Sequence, residues 1–129
     1  MTYRNTIQKQ LVLETVRSMT NHPTAEEIYG QITYQHPTIS KGTVYRNLNL
    51  LADQGEILRV QIPNAADRFD FNTAHHYHVR CQHCGKVFDV SIPYFENLEK
   101  GIDQTDGFLL LSHDIVFSGI CPSCQTENS

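Results

Sequence analysis

Four cysteines and seven histidines carry most of the chemistry available to this 129-residue chain. The cysteines form two C-x-x-C pairs, Cys81-Gln82-His83-Cys84 and Cys121-Pro122-Ser123-Cys124, with 36 residues between them. Two such knuckles can bring four thiolates onto one tetrahedral zinc ion. Gly85 and Gly119 beside them suit tight turns. Two disulfides are the alternative, disfavoured in a reducing compartment. The first residues carry no apolar leader, which predicts a cytoplasmic chain with reduced thiols. Five histidines, at 75, 76, 78, 83 and 113, share the cysteine-rich half. His76 and His78 flank Tyr77 in an expected strand, so both imidazoles fall on one face. With Asp70 upstream and Asp89 downstream they make a mixed nitrogen and oxygen set suited to Fe(II), Mn(II) or Zn(II). Solvated surface histidines beside solvated acids are the plainer reading.

The elements expected to position these groups are short. Ile7, Leu11, Val12, Val16 and Met19 lie on a helical stripe over residues 6–19. Thr24 and Glu27 have capping-box spacing at the start of a second helix, which turns Ala25, Ile28, Tyr29 and Ile32 inward. Ser40 can cap a third helix with Val44, Leu48 and Leu51 inward and Gly55 as its stop. Residues 56–62 and 68–71 alternate as two strands joined by a turn. Three helices followed by such a hairpin predict a winged helix-turn-helix. The third helix is expected to expose Lys41, Thr43, Tyr45, Arg46, Asn47 and Asn49, side chains able to bind phosphates and base edges.

The second half is expected to hold strands near 76–80 and 86–90, a helix near 94–104 and a strand near 108–117. The fold class is thus α+β. A winged-helix DNA-binding domain over 1–72 precedes an α/β metal-binding dimerisation domain over 73–129, which carries the zinc. Net charge is −4, split as +1 over residues 1–60 and −5 over 61–129. So few basic groups would bind DNA weakly one copy at a time, and a homodimer on a palindromic site is the expected remedy. The longest apolar run, Gly107 to Leu111, is far too short to cross a membrane.

This combination resembles the ferric uptake regulator family over nearly the whole chain. The resemblance rests on residues 22–29 (HPTAEEIY), 40–48 (SKGTVYRNL), His76-Tyr77-His78, Cys81-x-x-Cys84-Gly85-Lys86 and the terminal Cys121-x-x-Cys124. It implies a dimeric, metal-activated transcription repressor that binds double-stranded DNA, here an AT-rich inverted repeat. By position it implies structural zinc on Cys81, Cys84, Cys121 and Cys124. It implies regulatory Fe(II) or Mn(II) on His22, Asp70, His76, His78 and Asp89. Asp at position 70, where iron sensors commonly have Glu, is similar to the peroxide-responsive branch. There Fe(II) and hydrogen peroxide oxidise a ligating histidine, for which His22 and His76 are the matching candidates.

His75, Glu96 and His113 match three of four ligands of an additional metal site, with Tyr77 in the fourth place. A basic arm ahead of the first helix is reduced to Arg4 and Lys9. The alternatives are an iron, manganese or zinc uptake regulator without peroxide chemistry, a small metalloenzyme, and a zinc-ribbon interaction module. Against an enzyme, the sequence has no Gly-rich phosphate loop, nucleophile elbow or His-x-Glu deaminase motif.

Overall fold

Local signals set the helices of the first half. A computed structural model describes residues 3–127, with side chains from 6 to 126. Helix α1 spans Tyr3–Ser18, α2 Ala25–Gln35 and α3 Lys41–Asp53. The Thr24 hydroxyl accepts from Glu27 N at 3.2 Å, and the Glu27 carboxylate accepts from Thr24 N at 2.9 Å. This reciprocal pair satisfies two amides that a helix start leaves open. Ser40 caps α3 by accepting from Thr43 N at 3.1 Å. Gly55, at φ +76°, ends it. Gly55 N donates to Ala52 O and Glu56 N to Leu51 O, the paired bonds of a left-handed helix stop.

The chain then forms an antiparallel hairpin of β1 (Leu58–Val60) and β2 (Arg68–Asp70), with Arg59 opposite Phe69. Asn64 takes a positive φ in the turn between them. Val12, Val16, Ile28, Ile32, Val44, Leu48, Leu51, Ile57 and Phe69 form one core. Their removal from water supplies most of what holds this half together. Ile7, expected on the buried stripe of α1, is half exposed.

The chain divides into two compact units, Met1–Ala74 and His75–Ser129. The second holds a three-stranded sheet in the order β4-β3-β5. Strand β3 (Tyr77–Cys81) pairs antiparallel with β4 (Val87–Val90) and parallel with β5 (Val116–Gly119). A six-residue helix α4, Pro122–Glu127, follows.

Two expectations are corrected here. The helix expected over 94–104 is only a 3-10 turn at Leu98–Gly101. Its apolar positions Phe95, Leu98 and Ile102 are all exposed, and a helical stripe with nothing to pack against gains little over open chain. The strand expected over 108–117 begins only at Val116. Phe108, Leu109 and Leu111 lie at 73%, 85% and 85% exposure without a ladder partner among the described residues.

Candidate metal centres

In the first unit, His22 sits in the loop before α2 with φ +54°, left-handed backbone that a non-glycine residue adopts at a cost of about 1 kcal/mol. The loop is pinned to β2. Phe69 N donates to Pro23 O at 2.9 Å, and Arg68 Nη1 donates to His22 O at 3.0 Å. The imidazole is thereby buried, with Nε2 3.2 Å from Asp70 Oδ2. Sequence reasoning from residue types alone gave His22 no role. The signal that could have found it is His-Pro ahead of a capping box, a fixed turn that orients the ring.

In the second unit, β3 and β4 set a second cluster. Their register puts His78 opposite Asp89, and His76, just ahead of β3, turns its ring to the same carboxylate. His76 Nε2 lies 2.9 Å and His78 Nε2 3.5 Å from the same atom, Asp89 Oδ1. The two rings are 4.4 Å apart at 51°. Ligands on one metal at bonds of about 2.1 Å stand about 3.0–3.5 Å from each other. Both imidazole nitrogens already stand at that spacing from the Asp89 oxygen, and two imidazoles with a carboxylate suit a regulatory Fe(II), Mn(II) or Zn(II) ion.

The four cysteines converge at the other end of β3. One sulfur from each lies within 4.8 Å of the others, and none is in a disulfide. Cys84 and Cys121 sulfurs are 3.9 Å apart. Zinc–sulfur bonds of about 2.3 Å place tetrahedral sulfurs about 3.8 Å apart, so the set fits structural zinc. Cys81 is buried at the end of β3, and its sulfur accepts from the backbone N–H of Cys121 and of Cys84, each at 3.4 Å. Those amides pull its thiol down to about 5. The neighbouring Cys121 and burial push Cys124 up to about 12. Gly85, at φ +79°, closes the first knuckle by donating to Cys81 O.

His75, Glu96 and His113 form no such group among the described residues. Both ring nitrogens of His113 are engaged otherwise. Phe95 N donates to Tyr77 Oη at 3.0 Å, and that hydroxyl lies 2.6 Å from His113 Nε2. His113 Nδ1 pairs with Glu99, three residues beyond the expected Glu96. One neutral tautomer satisfies the whole chain: Tyr77 donates to Nε2, and Nδ1–H donates to Glu99. His113 in turn holds the Glu99 carboxyl below its ordinary range. His75 stacks on Tyr94 at 5.1 Å.

On α3, Lys41, Arg46 and Asn49 are exposed and Tyr45 and Asn47 half-buried, but Thr43 is buried, a correction to its expected exposure. Its hydroxyl lies 2.8 Å from Ser40 Oγ and accepts from Arg46 Nη2 at 3.2 Å. It therefore holds the cap and the arginine. Asn47 Nδ2 donates to Thr43 O. Of the basic arm, Lys9 pairs with Glu56 at 3.4 Å, and the Arg4 side chain lies outside the described residues. No helix among the described residues is long and apolar enough to cross a membrane.

The sequence matches the ferric uptake regulator family model over residues 1–118, ending just before the second knuckle. It is 36% identical over 124 residues to the peroxide-responsive repressor PerR of Staphylococcus aureus, covering 96% of this chain and 84% of that protein. The Campylobacter jejuni peroxide stress regulator superposes with TM-score 0.73 at 31% identity, over 94% of this chain and 91% of that one. The Helicobacter pylori ferric uptake regulator Fur, a structure that reveals three functional metal binding sites, gives 0.74 at 28% identity, over 92% and 80%. With metal-suited clusters in place and a match that runs through both units, the chain belongs to the ferric uptake regulator family and is a metal-dependent regulator rather than an enzyme.

Proposed function

We propose that this protein is a cytoplasmic, homodimeric transcription repressor that releases DNA when hydrogen peroxide oxidises one of its metal-binding histidines. The observation that carries the peroxide reading is Asp70, seated 3.2 Å from His22 where iron sensors of the family commonly have Glu. The names of the Staphylococcus and Campylobacter relatives agree with it.

In this reading Cys81, Cys84, Cys121 and Cys124 hold structural zinc, and His22, Asp70, His76, His78 and Asp89 together hold the regulatory ion. His22 and Asp70 belong to the DNA-binding domain, residues 1–72, and the other three to the dimerisation domain, residues 73–129. A ligand set drawn from both halves fixes the angle between them, so metal selects the form that fits DNA. Fe(II), when bound, activates hydrogen peroxide, a reaction Mn(II) does not support. The net change at the imidazole is one C–H becoming C–OH, with water as the second product of the peroxide. The oxidised ring is a poorer donor, and the grip between the halves is lost.

The helices and hairpin of the first unit serve as a winged helix-turn-helix with α3 in the major groove of an AT-rich inverted repeat. Arg46, Tyr45 and Asn47 are its contacts, Thr43 supports them from within, and Lys41, expected among them, is paired with Glu26. The exposed apolar run at 108–111 supports the homodimer, because four such side chains in a row, ahead of the edge strand β5, suit burial against a second copy. Replacing Leu109 and Leu111 together with Glu should yield a zinc-replete monomer by sedimentation, with the dimer weakened at least ~100-fold from two lost burials. An unchanged dimer would place the interface elsewhere.

The peroxide reading is tested by loading Fe(II) anaerobically, pulsing with hydrogen peroxide and mapping peptides by mass spectrometry. One added oxygen on the His22 or His76 peptide, absent with Mn(II), is the expected result. Asp70→Glu should keep metal-dependent DNA binding and blunt the oxidation. No added oxygen in an otherwise metal-dependent repressor would assign the chain to the metal-uptake sensors.

A further inference from the structure

One of the two cations of α3, Lys41, is already paired within the chain. Lys41 Nζ lies 2.6 Å from Glu26 Oε2, a residue in the first turn of α2. The same oxygen accepts from Tyr45 Oη at 3.0 Å. The ammonium also stands 5.7 Å from the Tyr45 ring centroid and 6.0 Å from that of Tyr29. One carboxylate and two ring faces therefore surround the first cation of the helix. Glu26 is not needed to cap α2, since Thr24 and Glu27 do that. It is 64% exposed, so its carboxylate has no burial role.

We propose that Glu26 is a specificity-determining residue for DNA binding, which neutralises Lys41 and commits the Tyr45 hydroxyl proton inward so that random phosphates gain little from either. This rests on the DNA-binding reading above. Lysines that reach phosphates release counterions and strengthen binding to any sequence. A lysine already paired with a carboxylate releases none. A hydroxyl that donates to Glu26 presents only lone pairs outward, and phosphate oxygens are acceptors too. It can still accept from the amino group of an adenine or cytosine, a base-edge contact. Lys41 and Tyr45 in turn hold Glu26 ionised, with its carboxyl below the ordinary range. The arrangement suppresses sequence-independent affinity while leaving base readout in place.

The test uses the full-length Mn(II)-loaded protein and fluorescence anisotropy on a mixed-sequence duplex, between about 50 and 200 mM salt. Glu26→Gln should bind roughly tenfold more tightly, with a salt slope steeper by about 0.9 for each Lys41 freed. Adding Lys41→Gln to Glu26→Gln, which returns the pair to zero net charge, should remove the increment. The melting temperature of each variant checks that the fold is intact. An unchanged slope in Glu26→Gln, or an increment that survives the added Lys41→Gln, overturns the proposal, since Lys41 would then not be the cation that Glu26 holds back. If the parent shows no Mn(II)-dependent binding to any duplex, the DNA-binding reading fails and takes this proposal with it.

Discussion

Replacing Cys84 with Ser should lower the melting temperature of the second unit by about 10 °C or more and reduce bound zinc well below one ion per chain. The reason lies in how little else holds that unit. Its buried apolar side chains among the described residues are Tyr77, Val87 and two of the cysteines themselves, Cys81 and Cys124. A core that small does not fold a domain without a metal or a partner. Apparent zinc-binding energies of structural sites reach roughly 10 kcal/mol and more at neutral pH, and that energy is folding energy. Cys84 is exposed, so Ser there leaves no cavity, and the loss reads the metal rather than packing. The sign of the pH dependence follows from Cys124. With its metal-free thiol pushed up to about 12, that residue is protonated at neutral pH, and zinc must displace the proton. Apparent zinc affinity therefore rises with pH, and the metal is released on acidification. Zinc content by elemental analysis and thermal melts over pH check both points. A Cys84→Ser protein with full zinc and an unchanged melt would remove the structural role.

Replacing His76 with Ala should abolish metal-dependent DNA binding while leaving zinc content and the dimer intact. His76 makes the shorter of the two imidazole contacts to Asp89, at 2.9 Å. Losing a direct ligand should weaken regulatory-metal affinity by at least ~100-fold, beyond what outer-shell changes cause. Without the ion, nothing selects the DNA-fitting form, so the duplex affinity falls to its metal-free level. His22→Ala should do the same from the DNA-binding half if one ion is held by both. Metal titration at fixed protein, followed by anisotropy on duplex DNA, separates the cases. Variants that lose Mn(II) affinity yet still bind DNA as the parent does would sever metal from repression. If His22→Ala alone is without effect, the ion belongs to the His76, His78 and Asp89 cluster.

Much of this molecule is legible along the chain because the signals are local. Thr24 with Glu27, Ser40 and Gly55 mark helix ends through contacts within a few residues. The spacing of the C-x-x-C pairs and the strand parity of His76 and His78 are likewise properties of neighbours in sequence. The failures have one cause: a pattern says which side chains share a face, not what stands opposite. Phe95, Leu98 and Ile102 share a helical face, yet with nothing packed on it the segment makes only a 3-10 turn. Thr43 is polar and sits among polar residues, yet it turns inward because Ser40 and Arg46 supply its hydrogen bonds there.

What the sequence determined by itself is therefore the set of metal-suited donors, the family, and the three helices with their hairpin. The tertiary structure alone decided that Cys81 is gripped by amides from both knuckles, and that His113 spends its ring on Tyr77 and Glu99. It alone placed Glu26 over Lys41 and Tyr45. Apart from the Cys84 amide, three residues from Cys81, each of these contacts joins residues 14 or more apart, where the register of strands and the crossing of helices, not spacing along the chain, sets which atoms meet.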